Sequence, residues 1–426
     1  MKNSFFLTGM LFCGILFCAL GAGCITSDVL PPGPPDVPPL SSGVADEVVN
    51  ANTLFAYDLY QTLKSDKENA GKNIFFSPYS ISTALALTYE GAKGTTADEI
   101  SSVFHFPKND TVRQNGYQSL IASLNRQNSA YTLKTVNALW AEKTYQLLPA
   151  YIETAQKSYR AEVRNMDFIT LPEESRQIIN HWVEDQTEDR IQNLIPEQAI
   201  TPDTTLVITN AVYFKGKWVL QFSENNTKSA TFRTGQDTSV AVDMMQRTDV
   251  DAHYAYAETE DLQILRMPYE HESGKALSML VILPKNDDIA LAETALPTKE
   301  LAEAITEMKP TQVKVFFPKF KLETTYLLPK TLTTMGMPTA FGPEADFSGM
   351  DGTRDLSISE VIHKAFMEVS EEGTEAAAAT GVIIGRGMTV ENPVPIFRAD
   401  HPFIFMITDD ETGMVLFMGR MADPTA

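Results

Sequence analysis

Cysteine is nearly absent from this chain of 426 residues: there are three, Cys13, Cys18 and Cys24, all in the first segment. Disulfides, thiol nucleophiles and cysteine-based metal sites are thereby excluded from everything that follows Cys24. A domain of this size can do without such staples, because larger domains bury a larger fraction of their surface. Dense basic runs are missing too. With 34 Lys and Arg against 55 Asp and Glu, the formal net charge is −21. Such a surface repels phosphate backbones, whose binding relies on cations, and argues against nucleic acid and other polyanions as partners. Catalytic signatures are equally lacking. No G-x-S-x-G elbow, H-E-x-x-H, Gly-rich phosphate loop or dinucleotide fingerprint occurs. The six histidines are scattered, with no two at ligand spacing. The expectation is a protein without metal or cofactor that is not an enzyme.

What is present begins with an address. Lys2 precedes an apolar run from Phe5 to about Leu20, and the small residues Gly21, Ala22 and Gly23 follow. This is the layout of a secretory signal, and the run is short for a membrane span. Cys24 after Gly-Ala-Gly resembles the lipobox of prokaryotic lipoproteins, although Gly21 stands where a bulky aliphatic residue is usual. Cys24 is thus a candidate lipidation site, beside the alternatives of a plain signal peptide cut near Gly23 and an uncleaved anchor. Residues 30–43, LPPGPPDVPPLSSG, lack the amide donors that helix and central strand need, and form an extended spacer. The expected organisation is a signal or anchor at 1–23, a Pro-rich tether at 24–47 and one folded domain at 48–426. The protein is expected outside the cell, free or held to the membrane through Cys24.

Within the body, Val49, Leu54, Phe55, Leu59 and Leu63 recur at helical spacing. A short strand at Asn73–Phe76 stops before Pro78, and a buried helix is predicted over Tyr79–Glu90. Thr95, Thr96 and Asp98 ahead of Glu99 supply a helix start. Leu206–Phe214 and Leu277–Leu283 are nearly continuous apolar runs, as in strands covered on both faces. Val313–Phe320 alternates more openly and reads as a further strand, closed by Pro318. Residues 401–420 hold two apolar runs about an Asp- and Gly-rich turn, a hairpin. Early helices and late strands together imply an α+β fold with large, mostly antiparallel sheets.

One stretch stands apart. Residues 371–381, EEGTEAAAATG, lie between a β-like segment, His363–Val369, and the C-terminal hairpin. The strand-type residues after it end in Gly385-Arg386-Gly387, which suits proteolytic attack. A loop of this length in a compact domain is functional or a flexible connection.

The surrounding motifs decide between these. Residues 363–380 (HKAFMEVSEEGTEAAAAT), 397–405 (FRADHPFIF), 210–218 (NAVYFKGKW), 73–82 (NIFFSPYSIS) and 345–349 (ADFSG) together resemble the serpin family, in the family's order, and the resemblance covers roughly residues 48 to 424. It implies the serpin fold, with helices packed around large sheets and an exposed reactive loop. It implies an irreversible inhibitor, expected as a monomer, whose partner is a serine protease held in covalent complex. The protease cuts the loop, forms an acyl-enzyme and is trapped when the freed hinge inserts into the sheet as a new strand.

The resemblance places the hinge at Glu371, Gly373, Thr374, Glu375, Ala376, Ala377, Ala378, Ala379 and Thr380. An inserting strand presents alternate residues to one face, so Thr374, Ala376, Ala378 and Thr380 go together, all small and uncharged. Desolvating them costs little beside burying an ion. Members of the family that do not inhibit often carry bulky or charged hinges. Ser77, Ser80, Asn210 and His363 match a polar cluster under the opening sheet, Trp218 a packing residue near its top, and Glu371 one half of an ion pair. For the bait bond Arg386 is the chemically attractive choice, since Arg fits the acidic pocket of trypsin-like enzymes. The family's spacing from Gly373 lands on Gly387 instead, and Met388 is a third choice; these would suit subtilisin-like or elastase-like targets.

Overall fold

The computed structural model describes residues 42–125, 130–271, 276–374 and 393–426. Cys24, Glu375, Ala376, Ala377, Ala378, Ala379, Thr380, Arg386, Gly387 and Met388, each expected to act, lie outside the described residues. Among those described, three sheets and the helices that cover them make an α+β fold.

The opening helix α1 spans Ser42–Ser65, so its first turns fall inside the stretch expected to be tether up to residue 47. Asp46 and Glu47 are exposed, and an apolar pattern cannot mark residues that bury nothing. Helix α2, Pro78–Tyr89, is buried at every residue but the last. Ser77 caps it, its Oγ accepting from the Ser80 amide at 3.1 Å, and Pro78 takes the first helical position, where no amide donor is needed. Helix α3, Gly94–Phe104, starts without a side-chain cap. Thr96, expected to help start it, instead accepts from the Asp346 amide at 2.9 Å and so fastens the helix to a distant loop.

The largest sheet has seven strands in the order β1 (Ile74–Phe76), β17 (Val415–Met421), β16 (Phe403–Asp409), β9 (Leu277–Pro284), β8 (Leu262–Pro268), β7 (His253–Glu258) and β10 (Lys309–Gln312). The predicted C-terminal hairpin is β16–β17, and β9, β16 and β17 are buried along their whole lengths. A four-stranded sheet runs β15 (Ile396–Arg398), β11 (Lys314–Pro318), β6 (Ser239–Arg247), β5 (Lys228–Arg233). The run Val313–Phe320 is closed at Pro318 as expected, and Phe320 already belongs to another strand. It breaks at Lys319, whose amide bonds to the Asp243 carbonyl, and the chain leaves for another sheet.

That third sheet has the order β12 (Phe320–Leu327), β13 (Glu360–Val369), β4 (Leu206–Lys217), β2 (Tyr131–Glu142), β3 (Glu162–Met166), with β14 (Gly373–Thr374) added against β4. Its strands alternate. Leu206, Ile208, Val212 and Phe214 face the main core, while Val207 and Ala211 join Ile362 in a second apolar cluster. That second cluster is completed by Ile179 and Val183 of the helix Pro172–Gln186 and by Ile191, Leu194, Ile195 and Ile200 beyond it. Both faces are covered, as a strand as apolar as β4 requires.

Candidate functional site: the seam between β13 and β4

β13 and β4 are parallel and pair from Glu360↔Val207 to Phe366↔Tyr213. Both strands run on past this ladder without pairing with each other, so the seam opens at its upper end. β14 occupies the opening, antiparallel to β4, with Gly373 opposite Lys217 and Thr374 opposite Gly216.

Each residue here has a physical reason. Gly373 has φ +149°, and a Cβ built on it would lie 2.1 Å from the Gly216 carbonyl oxygen, so only glycine fits. Thr374 is fully buried, and its hydroxyl lies 3.0 Å from that of Tyr269. Burial pushes the Tyr269 phenol far up, so it stays neutral. Tyr269 stacks on Trp218 with centroids 4.4 Å apart, and the Trp218 indole N–H donates to the Ser370 carbonyl at 3.1 Å. The Trp218 amide donates to the Glu372 carbonyl at 2.7 Å and the Phe222 amide to the Glu371 carbonyl at 2.8 Å.

The partner of Glu371, left unnamed by the sequence, is Lys319 at 2.9 Å, with the Thr227 hydroxyl donating at 2.7 Å to the other oxygen. Burial raises this carboxyl's pKa, but the bonds from Lys319 and Thr227 outweigh it and hold the group below the usual carboxylate range. The residue at which the chain changes sheets thus also fixes the base of the hinge.

Lower in the seam the structure brings Ser77, Ser80, Asn210 and His363 together. His363 and Asn210 are register partners, as are Asn210 and Asn137 on β2. The Ser77 amide donates to His363 Nε2 at 3.1 Å, so this nitrogen carries no proton, and Nδ1–H donates to Asn210 Oδ1. Asn210 Nδ2 spends its two protons on Ser80 Oγ and Asn137 Oδ1. Ser77 Oγ donates to the Leu416 carbonyl at 2.6 Å. One satisfied network therefore ties β13, β4 and β2 to α2 and β17. Burial lowers the His363 pKa to about 3, which agrees with a ring nitrogen that has to accept.

Asn137 was missed by sequence reasoning, because an asparagine in a strand carries no signal until the register sets it beside Asn210. On the opposite face, Lys364 is almost buried, its Nζ donating to the Gln192 carbonyl at 2.9 Å and pairing with Glu323 at 2.8 Å. Among the described residues no group of three or more His, Cys, Asp or Glu side chains is placed to hold a metal.

Comparison with known proteins bears on this geometry. The family model described as "Serpin (serine protease inhibitor)" matches residues 50–424. A serpin-like protein of Methanosarcina acetivorans is 42% identical over 381 residues, covering 89% of this chain and 88% of its own. The leukocyte elastase inhibitor of Bos taurus is 40% identical over 388 residues, covering 89% of this chain and 100% of its own. Among solved structures, human thyroxine-binding globulin complexed with thyroxine superposes with a TM-score of 0.80 at 32% identity, covering 90% of this chain and 100% of that one.

Proposed function

The chain belongs to the serpin family, and from that premise we propose that it is an irreversible inhibitor of serine proteases that traps its target by inserting the cut reactive loop into the β13–β4 seam. Members of the family are in general protease inhibitors rather than catalysts. In the reaction proposed, the protease serine attacks the carbonyl of the bait residue and the amine of the next residue leaves. The ester so formed must hydrolyse before the hinge inserts, or the protease is carried off and held.

The observation that supports this reading is Thr374, wholly buried against β4 at the open end of a parallel ladder. A strand continued from there runs antiparallel to both neighbours, replacing one parallel ladder by two antiparallel ones, the slightly more stable pairing. The residues due to follow on its face, Ala376, Ala378 and Thr380, bring no charge. The same scaffold in thyroxine-binding globulin was solved with thyroxine bound, so fold alone does not separate inhibition from binding of a small ligand; the small, uncharged hinge favours inhibition.

Trypsin-like enzymes acting at Arg386 are the targets we favour. The count from Gly373 to Gly387, and a relative named for elastase, favour a second reading in which Gly387 or Met388 is the bait and the target is elastase-like or subtilisin-like. We place the protein outside the cell, tethered through lipidated Cys24 or released after cleavage near Gly23; the intact mass of its N-terminal peptide decides which.

The test is to mix the purified protein with trypsin, and separately with subtilisin, and run denaturing gels. A band that survives boiling, at the summed mass less the released C-terminal peptide, establishes trapping, and the first residue of that peptide fixes the bait bond. Loop cleavage with both proteases still active overturns it for these targets.

A further inference from the structure

Beside the point where the chain re-enters the fold lies an open groove of about 590 Å³. At its base are the buried Tyr256 and the half-buried Ala257 and Ala304, and the edge strand β10 bounds it with Lys309 and Thr311. One wall is the helix Lys299–Thr306, from which Glu300 and Glu303 line the groove, with Glu307 directly after it. Glu258 and Pro395 complete the lining. Lys309 is the one cation among four carboxylates.

These acids stand where they weaken their own helix. Glu303 and Glu307 are four residues apart and alike in charge, and they sit at the negative end of the helix dipole. Ion pairs occupy two of the four carboxylates. Glu258 accepts from the Tyr256 O–H and pairs with Lys285 at 2.9 Å, and Glu303 pairs with Lys299 at 2.6 Å. The second of these pairs is exposed on both sides and gives way easily. Glu300 and Glu307 make no ion pair among the described residues. The rise of the helix sets them about 10 Å apart along the wall. Exposed carboxylates in a row above an uncharged base match an extended segment that carries two or more basic side chains.

The groove also adjoins the reactive loop. Pro395 lines it, and Gln263 joins its base to the end of the loop, Nε2 donating to the Tyr256 hydroxyl oxygen at 2.8 Å and to the Ile396 carbonyl at 3.0 Å. Arg386 is nine residues before Pro395, a reach of no more than about 32 Å. A protease domain of about 220 residues is about 45 Å across. An enzyme seated on any of the three candidate bait bonds therefore stands within its own width of the groove. We propose that the groove is a second contact surface for the target protease, taking a basic segment beside that enzyme's active site and so favouring cationic targets. The proposal rests on the inhibitory reading in taking the partner to be a protease that engages the loop.

The experiment measures how fast the chain associates with trypsin inactivated at its nucleophilic serine, in a cationic and an anionic form that share one specificity pocket. Wild type is compared at low ionic strength with the groove variant Glu300→Lys, Glu303→Lys, Glu307→Lys. A control of equal net charge carries Glu153→Lys, Asp185→Lys and Asp203→Lys, exposed positions on the helices Pro149–Tyr159 and Pro172–Gln186 and before β4. Steering by local charge is worth about tenfold or more in rate, so cationic trypsin should meet the groove variant about tenfold more slowly than the control. The gap should shrink as salt screens it. Gln at the same three groove positions, which keeps size and removes charge, should slow association about threefold, and anionic trypsin should show no slowing. Equal rates for groove variant and control overturn the proposal, since the overall charge of −21 then accounts for them. Failure of cationic trypsin to associate with wild type overturns it too. Equal rates, with spermidine raising the melting temperature of wild type and not of the groove variant, give the groove to a small polyamine instead. Active trypsin tests the inhibitory reading separately. Groove-dependent association without a boiling-stable band overturns inhibition and leaves the contact surface, while a band formed at equal rates by groove variant and control does the reverse.

Discussion

His363 and Asn210 face each other across two parallel strands, and the imidazole Nδ1–H donates to the Asn210 carboxamide while Nε2 accepts from the Ser77 amide. Protonating Nε2 would set one N–H against another, so the ring is neutral in the folded protein. Its pKa, lowered by burial to about 3, lies below the ordinary value of 6.5. The unfolded chain therefore takes up the extra proton, and stability present above pH 6.5 is lost as pH falls through the window from 6.5 towards 3. By pH 5 the loss is about 2 kcal/mol. Denaturant unfolding at pH 7 and pH 5 should show it, and His363→Gln, though less stable at pH 7, should show a flatter dependence. An equal slope in the variant would remove His363 as the cause.

Gly373→Ala places a methyl group into the Gly216 carbonyl oxygen at a backbone angle that favours glycine. The expected outcome is loss of the β14 pairing and of the Thr374–Tyr269 bond. Amide hydrogen exchange over residues 370–374 should become about fivefold faster or more, the factor for one ordinary hydrogen bond, with the C-terminal hairpin unchanged.

Arginine at hinge positions separates cleavage from trapping. Thr374→Arg puts an unpaired charge into a fully buried site, and Ala376→Arg does the same on the face that would follow. Burying such a charge costs several kcal/mol, enough to let deacylation win. Both variants should be cut at the wild-type bond while the number of molecules consumed per protease inhibited rises about tenfold or more. A boiling-stable complex formed as efficiently as by wild type would refute the hinge argument.

The bait residue is separable from the hinge. Arg386→Ala should weaken inhibition of trypsin about a hundredfold or more, the loss expected when a buried charge pair at an interface is truncated. Rates against subtilisin should change far less. Inhibition of trypsin that survives Arg386→Ala and disappears with a substitution of Gly387 or Met388 would move the bait bond.

Much of this was legible in the sequence where burial is monotonous. The runs that became β9, β16 and β17 are buried on both faces and read as strands, and α2 begins one residue before the helix expected over Tyr79–Glu90. The polar cluster was reached through motif resemblance, because Ser77, Ser80, Asn210 and His363 lie up to 286 residues apart and no local pattern joins them. What could not be read depends on register. Asn137 joins the polar cluster only because β2 sets it opposite Asn210. Lys319 follows the proline that closes β11, and nothing in the sequence says that the chain there enters another sheet and meets Glu371. Tyr269 has no motif at all, and its meeting with Thr374 follows from where β14 ends.

The bond from the Asn73 carboxamide to the Asp423 carbonyl spans 350 residues, and β1 pairs with β17 directly beside it. The first strand of the seven-stranded sheet is therefore waiting for the last. At 5–20 residues per second the ribosome needs about 20–70 s to travel between them. Throughout synthesis the chain lacks the hairpin that fills the middle of its largest sheet, so it leaves the ribosome unable to finish folding. Export, as proposed above, would profit from that delay: nothing would have to be unfolded before passage, and the sheet would close once the hairpin had crossed.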